Sequence, residues 1–285
     1  MIAAEPNVAG GLAIIAGSGD LPRLIAEKCQ REGRDYHVLL FSGAEFAWTQ
    51  SHPVLRFEYE KLGRVFKQLK ALSYDRIVLA GKVARPSLSP LKFDAKTLSL
   101  APKILKSLNK GDNQTLGLVT GLLEAEGFQV IGAHELLMDT LARNGQWTKA
   151  GPSEDDQRDI ERALEIATAM GTADIGQAIV VAQGLCLGVE TLQGTDALLR
   201  FVADTAEGLR PDPDGSRGVL YKGPKPGQDW RVDLPVIGVE TLQGASNAGL
   251  AGIAVQAGGV MVLDPDAVIR LADELGLFLI GLEPG

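Results

Sequence analysis

The chain of 285 residues is long enough for about two domains. With 45% hydrophobic and 22% charged residues, it has enough apolar side chains to build cores, which excludes a disordered protein. The formal net charge of -8 disfavours a nucleic acid partner. Two cysteines far apart in sequence, Cys29 and Cys186, exclude a disulfide framework and a thiolate metal cluster, and favour a reducing cytoplasm.

The first ten residues lack the basic segment and apolar core of a secretory signal. No charge occurs between Glu240 and Asp264, a length that could cross a bilayer, but polar side chains and five glycines interrupt this stretch. Such a composition favours a helix, a turn and a buried strand over a membrane span. We therefore expect a cytoplasmic protein.

Apolar runs and helical spacing alternate along the first half of the chain. Residues 12–16 predict a strand, residues 17–20 a loop and residues 21–33 a helix. The pattern continues with strands at 36–41, 76–80 and 128–132 and helices at 62–72 and 94–127. This order predicts an α/β fold whose N-terminal domain is a Rossmann-like open sheet, with ligand loops at the carboxyl ends of its strands.

A segment without periodicity, residues 144–153, contains two glycines and a proline and is our candidate boundary. We predict a nucleotide-binding-like α/β domain over residues 1–150. A C-terminal α/β domain over residues 151–285 is expected to carry a catalytic loop and an acyl-chain groove. It opens with an amphipathic helix, residues 155–170, whose pattern places Ile160 and Ala163 on the core side and Asp159 on the polar side.

The second half repeats seven residues without change. Gly188-Val189-Glu190-Thr191-Leu192-Gln193-Gly194 returns as Gly238-Val239-Glu240-Thr241-Leu242-Gln243-Gly244. Each copy follows an apolar run and precedes a candidate helix, which predicts an internal strand-to-helix repeat with two similar corners. A shared packing solution and a binding role are both open. The residues after the copies differ, so any chemical roles have separated.

The loop after the first strand suits a turn into a helix. Gly17 and Gly19 allow the turn, Asp20 can cap the helix, and Pro22 is tolerated in its first turn. Exposed amides at such a helix start can hold a phosphate or a ribosyl group. Pro22 takes the place of the third glycine of G-x-G-x-x-G, which makes nicotinamide binding doubtful. A purely structural turn is the alternative.

Two cations follow the strand at 76–80. Lys82 and Arg85 lie where an open α/β sheet presents its ligand loops, so they could face a diphosphate; the alternative is a solvated turn. Asp112 lies at the start of a helix, where capping is the first interpretation and metal binding the second.

The segment 222–235 is rich in proline, glycine and charge. If it is extended, Asp229, Arg231 and Asp233 share one face. With Lys225, these residues offer cations that spread developing phosphoryl charge and carboxylates that hold a divalent ion or orient water. A charged surface hairpin is the alternative. The chain has no G-x-S-x-G, H-E-x-x-H or Walker motif.

Six segments together resemble one known family. They are IIAGSGDLPRLIAE from Ile14, AGKVARPSL from Ala80, KGDNQTL from Lys110, GFQVIGAHELL from Gly127, GVETLQGTDALL from Gly188 and KPGQDWRVDLPVIGVET from Lys225. Their order and spacing are similar to those of the UDP-2,3-diacylglucosamine pyrophosphatases of lipid A synthesis that are unrelated to calcineurin-like metallophosphoesterases. Asn113 stands where that family often has a second acidic residue.

The resemblance implies cleavage of UDP-2,3-diacylglucosamine by water to UMP and 2,3-diacylglucosamine 1-phosphate, with help from Mg²⁺ or another divalent cation. It also implies a two-domain enzyme whose partners are this substrate and its lipid phosphate product, and we further expect peripheral contact with the cytoplasmic face of the inner membrane and a homodimer. A non-catalytic nucleotide-lipid or lipid-phosphate binding protein is the alternative, and a nicotinamide oxidoreductase is a weaker third.

From the charged segment and the resemblance together we predict the site. The catalytic residues are Asp233, Asp229, Lys225 and Arg231, with Asp233 first for orienting water or a metal ion. The predicted metal ligands are Asp233 and Asp112. The predicted substrate-binding residues are Gly17, Ser18, Gly19, Asp20, Leu21, Lys82, Arg85, Thr191, Thr195, Asp196, Thr241 and Asn247.

Overall fold

A computed structural model describes residues 10–83, 89–107, 112–206 and 208–284, without the side chains of residues 103–107 and 112–114. Arg85 therefore lies outside the described residues, and so does the side chain of Asp112. The chain forms two compact units. The N-terminal unit comprises Met1–Leu137 and Asp229–Asp233, and the C-terminal unit comprises Met138–Gln228 and Leu234–Gly285.

The N-terminal unit alternates strands and helices. Its elements are β1 (Gly11–Ala16), α1 (Leu21–Arg31), β2 (Tyr36–Phe41), β3 (Val54–Phe57), α2 (Leu62–Ala71), β4 (Tyr74–Ala80), α3 (Ala95–Ser107), α4 (Asp112–Ala125), β5 (Gln129–Ile131) and α5 (Ala133–Leu136). All five strands are parallel, in the order β3-β2-β1-β4-β5. The predicted Rossmann-like open sheet is confirmed.

Continuous apolar runs build this sheet because both of its faces are covered. Leu12, Ile14 and Leu40 are fully buried. The strand order reverses between β1 and β4, so the loops that leave these two strands border the crevice where open α/β sheets bind ligands. The edge strand β3, which the sequence analysis missed, is short and carries the exposed Arg56.

The C-terminal unit has a mixed six-stranded sheet and a parallel pair. Its elements are β6 (Gly145–Gln146), α6 (Glu154–Thr172), β7 (Ala178–Ala182), β8 (Leu185–Val189), α7 (Thr195–Thr205), β9 (Val219–Lys222), β10 (Val236–Ile237), α8 (Val239–Asn247), β11 (Gly252–Gln256), β12 (Met261–Val262), α9 (Pro265–Leu275) and β13 (Phe278–Leu282). The large sheet has the order β6-β13-β11-β9-β7-β8, and β10 pairs with β12.

Strands β9, β11 and β13 are parallel, while β6, β7 and β8 pair with antiparallel neighbours. The uncharged stretch after Glu240 forms the rest of α8, a turn and the buried strand β11, as predicted. None of the described helices combines the length and the apolar character that a bilayer span requires.

Asp159 on α6 departs from the predicted polar face. It is only 1% exposed, and its carboxylate accepts hydrogen bonds from the amides of Gln183 (3.0 Å) and Gly184 (2.7 Å) in the β7–β8 turn. Ser216 also donates to it, at 2.8 Å. Both turn residues have positive φ, and this buried carboxylate satisfies their amides and so stabilises the turn.

Candidate functional site

The loops after β1 and β4 meet at the crevice of the N-terminal sheet. The amide of Ser18 donates to the carbonyl of Lys82 at 2.9 Å, and the amide of Lys82 donates back to the carbonyl of Ser18 at 3.0 Å. The hydroxyl of Ser18 also donates to the Lys82 carbonyl, at 3.1 Å. Two of the predicted binding segments, separated by 64 residues in sequence, are therefore brought together.

This approach requires glycine on both loops. A Cβ on Gly17 would lie 2.5 Å from the Lys82 carbonyl oxygen, and a Cβ on Gly81 would lie 2.5 Å from the Ser18 carbonyl oxygen. Gly81 also has a φ of +82°, which side-chain-bearing residues rarely adopt. The two backbones can come this close only because positions 17 and 81 carry no side chain.

The loop leads into α1 as predicted, with one correction. Pro22 lies in the first turn of the helix, but Asp20 makes no capping hydrogen bond and instead forms an ion pair with Arg23 at 3.1 Å. Ser18, Gly19 and Asp20 are exposed, whereas the side chain of Leu21 is buried. The start of α1 has no side-chain cap, so its amides are available to an anionic group.

His134 follows β5 at the same carboxyl edge. Its ring packs over Gly132, where a Cβ would come within 2.3 Å of the ring. Its Nδ1 is buried and has no hydrogen-bond partner among the described residues. The other two histidines contact tyrosine hydroxyls: His37 contacts Tyr74 at 2.9 Å, and His52 contacts Tyr36 at 2.5 Å. His134 is thus a further candidate for a polar contact.

The segment Asp229–Asp233 groups with the N-terminal unit although it comes from the second half of the sequence. Val232 packs against the core of that unit, and Arg231 reaches Glu124 on α4 at 2.7 Å. The amides of Val232 and Asp233 both donate to the carbonyl of Asp229 at 3.1 Å. The segment is a helical turn, so the prediction that it is extended is wrong.

Asp229 and Arg231 form a two-pronged ion pair. Arg231 Nη2 lies 2.7 Å from Asp229 Oδ2, and its Nε donates to Oδ1 at 3.0 Å. This pairing holds the pKa of Asp229 below its ordinary value and raises the pKa of Arg231. Asp229 is therefore ionised at neutral pH and orients Arg231. Asp233 follows at the end of the turn and is half-buried.

The first heptapeptide copy contributes to a buried polar cluster in the C-terminal unit. Lys222, at the end of β9, donates to the hydroxyl of Thr195 at 2.7 Å and to the carbonyl of Val236 at 3.0 Å. The Thr195 hydroxyl donates to Glu190 at 2.8 Å. Lys222, Thr195 and Glu190 are each less than one tenth exposed. Thr195, predicted to bind substrate, thus has its hydroxyl engaged inside this cluster.

Four of the five remaining predicted residues of the C-terminal unit also have internal partners. Lys225, with 8% of its side chain exposed, pairs with Asp174 at 2.6 Å. Thr241 is buried and accepts from the Gly238 amide at 3.4 Å. Asn247 is exposed and accepts from Gln243 at 3.0 Å. Thr191 donates to Gln193, and Asp196 is exposed in the first turn of α7.

The described residues contain no group of three histidine, cysteine, aspartate or glutamate side chains that could hold a metal ion. Asp233 alone does not make a resident metal site. An apolar groove of about 380 Å³ lies in the N-terminal unit beside α3 and α4, lined among others by Leu100, Leu118 and Leu122. The acyl-chain groove expected in the C-terminal half stays a prediction.

Comparisons with known proteins cover both units. Residues 11–140 match the family model of the LpxI N-terminal domain, and residues 143–280 match that of the LpxI C-terminal domain. Over 273 residues the chain is 41% identical to the UDP-2,3-diacylglucosamine pyrophosphatase LpxI of Caulobacter vibrioides, which covers 96% of this chain and 98% of that protein. This chain belongs to the LpxI family.

Membership in the LpxI family confirms the resemblance that the sequence motifs indicated. Solved structures are similar at a distance: CobK precorrin-6A reductase has 12% identity and a TM-score of 0.33 over 97% of this chain and 88% of that chain. An isoflavone reductase has 11% identity and a TM-score of 0.30 over 96% and 78%. Likeness at this level carries no argument about the activity of this chain.

Proposed function

We propose that this chain hydrolyses UDP-2,3-diacylglucosamine to UMP and 2,3-diacylglucosamine 1-phosphate in lipid A biosynthesis. The observation that carries the proposal is the 41% identity to a pyrophosphatase of that name over nearly the full length of both proteins. The loops at the strand-order reversal support it, because that is where an open parallel sheet binds nucleotides.

The exposed loop residues 18–20, the uncapped start of α1 and Lys82 would hold the anionic nucleotide part of the substrate. Backbone amides at a helix start and a nearby ammonium both favour phosphate. The close pairing of Ser18 with Lys82 keeps these groups in a fixed relation before substrate arrives. A preformed site of this kind reduces the ordering cost of binding.

In the reaction, a water oxygen forms a bond to one phosphorus while the bridging P–O bond breaks, and the water gives up a proton. We assign Asp233 to orient the water and accept that proton. Arg231, held by Asp229 and Glu124, would stabilise the charge that develops on the phosphoryl oxygens. Asp229 acts through Arg231 in this assignment and does not itself touch the substrate.

A divalent cation, Mg²⁺ by first choice, belongs to the proposal. Mg²⁺ in phosphoryl-transfer enzymes is commonly held by one or two carboxylates together with the substrate phosphates, where it neutralises charge. The described residues offer no complete set of protein ligands, so no step is assigned to the ion. If Mg²⁺ takes part, EDTA will abolish UMP release and Mg²⁺ will restore it; undiminished release in EDTA would exclude the requirement.

Exchange of Asp233 tests the mechanism. We expect Asp233→Asn to lower turnover about 10²–10⁴-fold, the usual contribution of a positioned acid or base. Asp214→Asn is the matched control, since Asp214 is exposed in the C-terminal unit. UMP release measured for both variants decides the matter. Wild-type turnover by Asp233→Asn would refute the assignment, and substrate binding without any release by the wild-type chain would support a non-catalytic lipid-binding protein.

We also propose that the protein acts in the cytoplasm. Because the substrate carries two acyl chains, we propose that the protein contacts the cytoplasmic face of the inner membrane peripherally. The homodimer that we expect is measured by sedimentation of the purified chain.

A further inference from the structure

Positive charge is concentrated in one part of this acidic chain. Residues 82–110 contain seven of its 28 lysines and arginines but one of its 36 aspartates and glutamates, Asp94. The carboxylate of Asp94 is occupied within the fold, where it accepts from the Thr97 amide at 2.7 Å and from the Arg64 amide at 3.3 Å. The sequence of this region therefore carries an excess of positive charge within a protein whose net charge is -8.

Within this region, residues 89–100 are anchored to the preceding helical segment at 59–62. The amide of Ser89 donates to the buried carboxylate of Glu60 at 3.2 Å, and the amide of Asp94 donates to the Glu60 carbonyl at 2.9 Å. The hydroxyl of Thr97, which is fully buried, accepts from the Leu62 amide at 3.0 Å. We call residues 89–100 the leucine–lysine platform.

This anchored platform exposes large apolar side chains. Leu91 is 99% exposed and Leu98 is 61% exposed. Leu91 lies in a 3₁₀ turn, and its neighbour Lys92 is also exposed. Leu98 lies in the first turns of α3, directly after the buried Thr97. Isolated exposed leucines are common, but here they lie beside the exposed Lys92 on a segment that the fold holds in place. The other lysine of the segment, Lys96, forms an ion pair with Glu126.

We propose that the leucine–lysine platform docks on the surface of an anionic phospholipid bilayer, with Leu91 and Leu98 inserted at the boundary between headgroups and acyl chains. Amphipathic elements with lysine beside leucine bind such interfaces through buried apolar area and attraction to anionic headgroups. Elsewhere the negative charge of the chain would repel an anionic membrane, so the charge complementarity selects this surface. The choice of a lipid occupant rests on the proposed function, whose substrate carries acyl chains.

Co-sedimentation of the full chain with vesicles tests the proposal. We expect binding to vesicles of phosphatidylcholine and phosphatidylglycerol, weaker binding to phosphatidylcholine alone, and loss of binding at high salt. The double variant Leu91→Ser, Leu98→Ser should bind at least tenfold more weakly. The matched control is Leu72→Ser, because Leu72 is an exposed leucine of the same unit outside the platform, at 39% exposure.

A second pair of variants isolates the charge. Lys92→Gln should weaken binding about fivefold, the effect of one surface cation near anionic lipid. Lys149→Gln is its control, because the Lys149 side chain is 89% exposed but belongs to the C-terminal unit. Unchanged melting temperatures for all variants exclude unfolding as the cause.

Vesicle binding by the leucine variants equal to that of the wild type, or no binding of the wild type to anionic vesicles, would overturn the proposal. If the leucine variants, without vesicles, sediment as a smaller species than the wild type, the platform is instead an interface between two copies of the chain. UMP release from detergent-dispersed substrate is measured in parallel for the wild type and for the leucine and lysine variants, and it should be the same in all of them. No UMP release from a wild type that still binds vesicles through Leu91 and Leu98 would defeat the proposed function while leaving the platform intact.

Discussion

The two identical heptapeptides of the C-terminal unit have different structures. In the first copy, Gly188 and Val189 end strand β8, Glu190 is buried, and residues 191–194 form a turn before α7 in which the first three side chains are exposed. In the second copy, Gly238 precedes α8, and the other six residues lie within that helix. Both copies lie between a strand and a helix, as predicted, but the helix begins after the copy in one case and inside it in the other.

Burial reverses between equivalent positions. Leu192 is 69% exposed, whereas Leu242 is completely buried in the core of the unit. Glu190 is buried, with its carboxylate accepting from Thr195 and from the amide of Gln177, whereas Glu240 is exposed in the first turn of α8. Since the sequences are identical, the surrounding elements decide the conformation, and local propensity acts only as a weak bias.

The largest difference is expected for the two leucines. Leu242→Ala removes a fully buried side chain and should lower the free energy of unfolding by about 2–5 kcal/mol. Leu192→Ala should change it by less than about 0.5 kcal/mol because the side chain faces solvent. Urea denaturation of both variants measures the two values. Equal losses would mean that Leu192 is buried too and that the comparison is wrong.

A smaller difference is expected for the last glycines of the copies. Gly194 precedes α7 with φ +86° and ψ 174°, a conformation almost restricted to glycine, so Gly194→Ala should cost about 1–3 kcal/mol. Gly244 is helical, and a Cβ there would meet the end of the Leu199 side chain at 2.8 Å. Helix propensity offsets that contact, so Gly244→Ala should cost less. The melting temperatures of the two variants measure these losses, and Gly194→Ala should have the lower one. A lower melting temperature for Gly244→Ala would mean that Gly194 does not have the positive φ described here.

The smallest difference concerns the two glutamates. Glu190→Gln weakens hydrogen bonds inside the buried cluster with Thr195 and should destabilise the unit by about 1 kcal/mol. Glu240→Gln alters an exposed residue at a helix start and should have an effect of less than about 0.5 kcal/mol. Urea denaturation measures both free energies of unfolding, provided that the dependence of the free energy on urea concentration has the same slope in both variants as in the wild type. If Glu190→Gln leaves the free energy of unfolding unchanged, the buried cluster does not stabilise this turn.

The comparison also explains which parts of the fold the sequence predicts. The N-terminal sheet follows from its apolar runs, because parallel strands buried on both faces need few specific partners. The meeting of the loops at Gly17 and Gly81 follows from the same reasoning, since carboxyl ends of neighbouring parallel strands share one edge. The sequence interpretation assigned Gly17 to a turn and to substrate binding and gave Gly81 no role, so the close approach of the two backbones at these glycines is a finding of the structure.

Three errors have a different origin. Asp159 reads as a solvent-facing residue, but a turn in the next hairpin supplies amides for it. Asp20 reads as a helix cap, but Arg23 competes for its carboxylate. The segment from Asp229 reads as extended, but the Asp229 carbonyl accepts two amides of a helical turn. In each case several hydrogen-bond partners compete for the same group. The pattern of residue types does not indicate which of these partners forms the bond in the folded protein.

The most direct test of the proposed function is the turnover of UDP-2,3-diacylglucosamine by the purified wild-type chain, with both products measured in one assay. The account predicts equal amounts of UMP and 2,3-diacylglucosamine 1-phosphate, formed at a rate that depends on enzyme concentration. Intact substrate after prolonged incubation with folded protein, with and without added Mg²⁺, would contradict it.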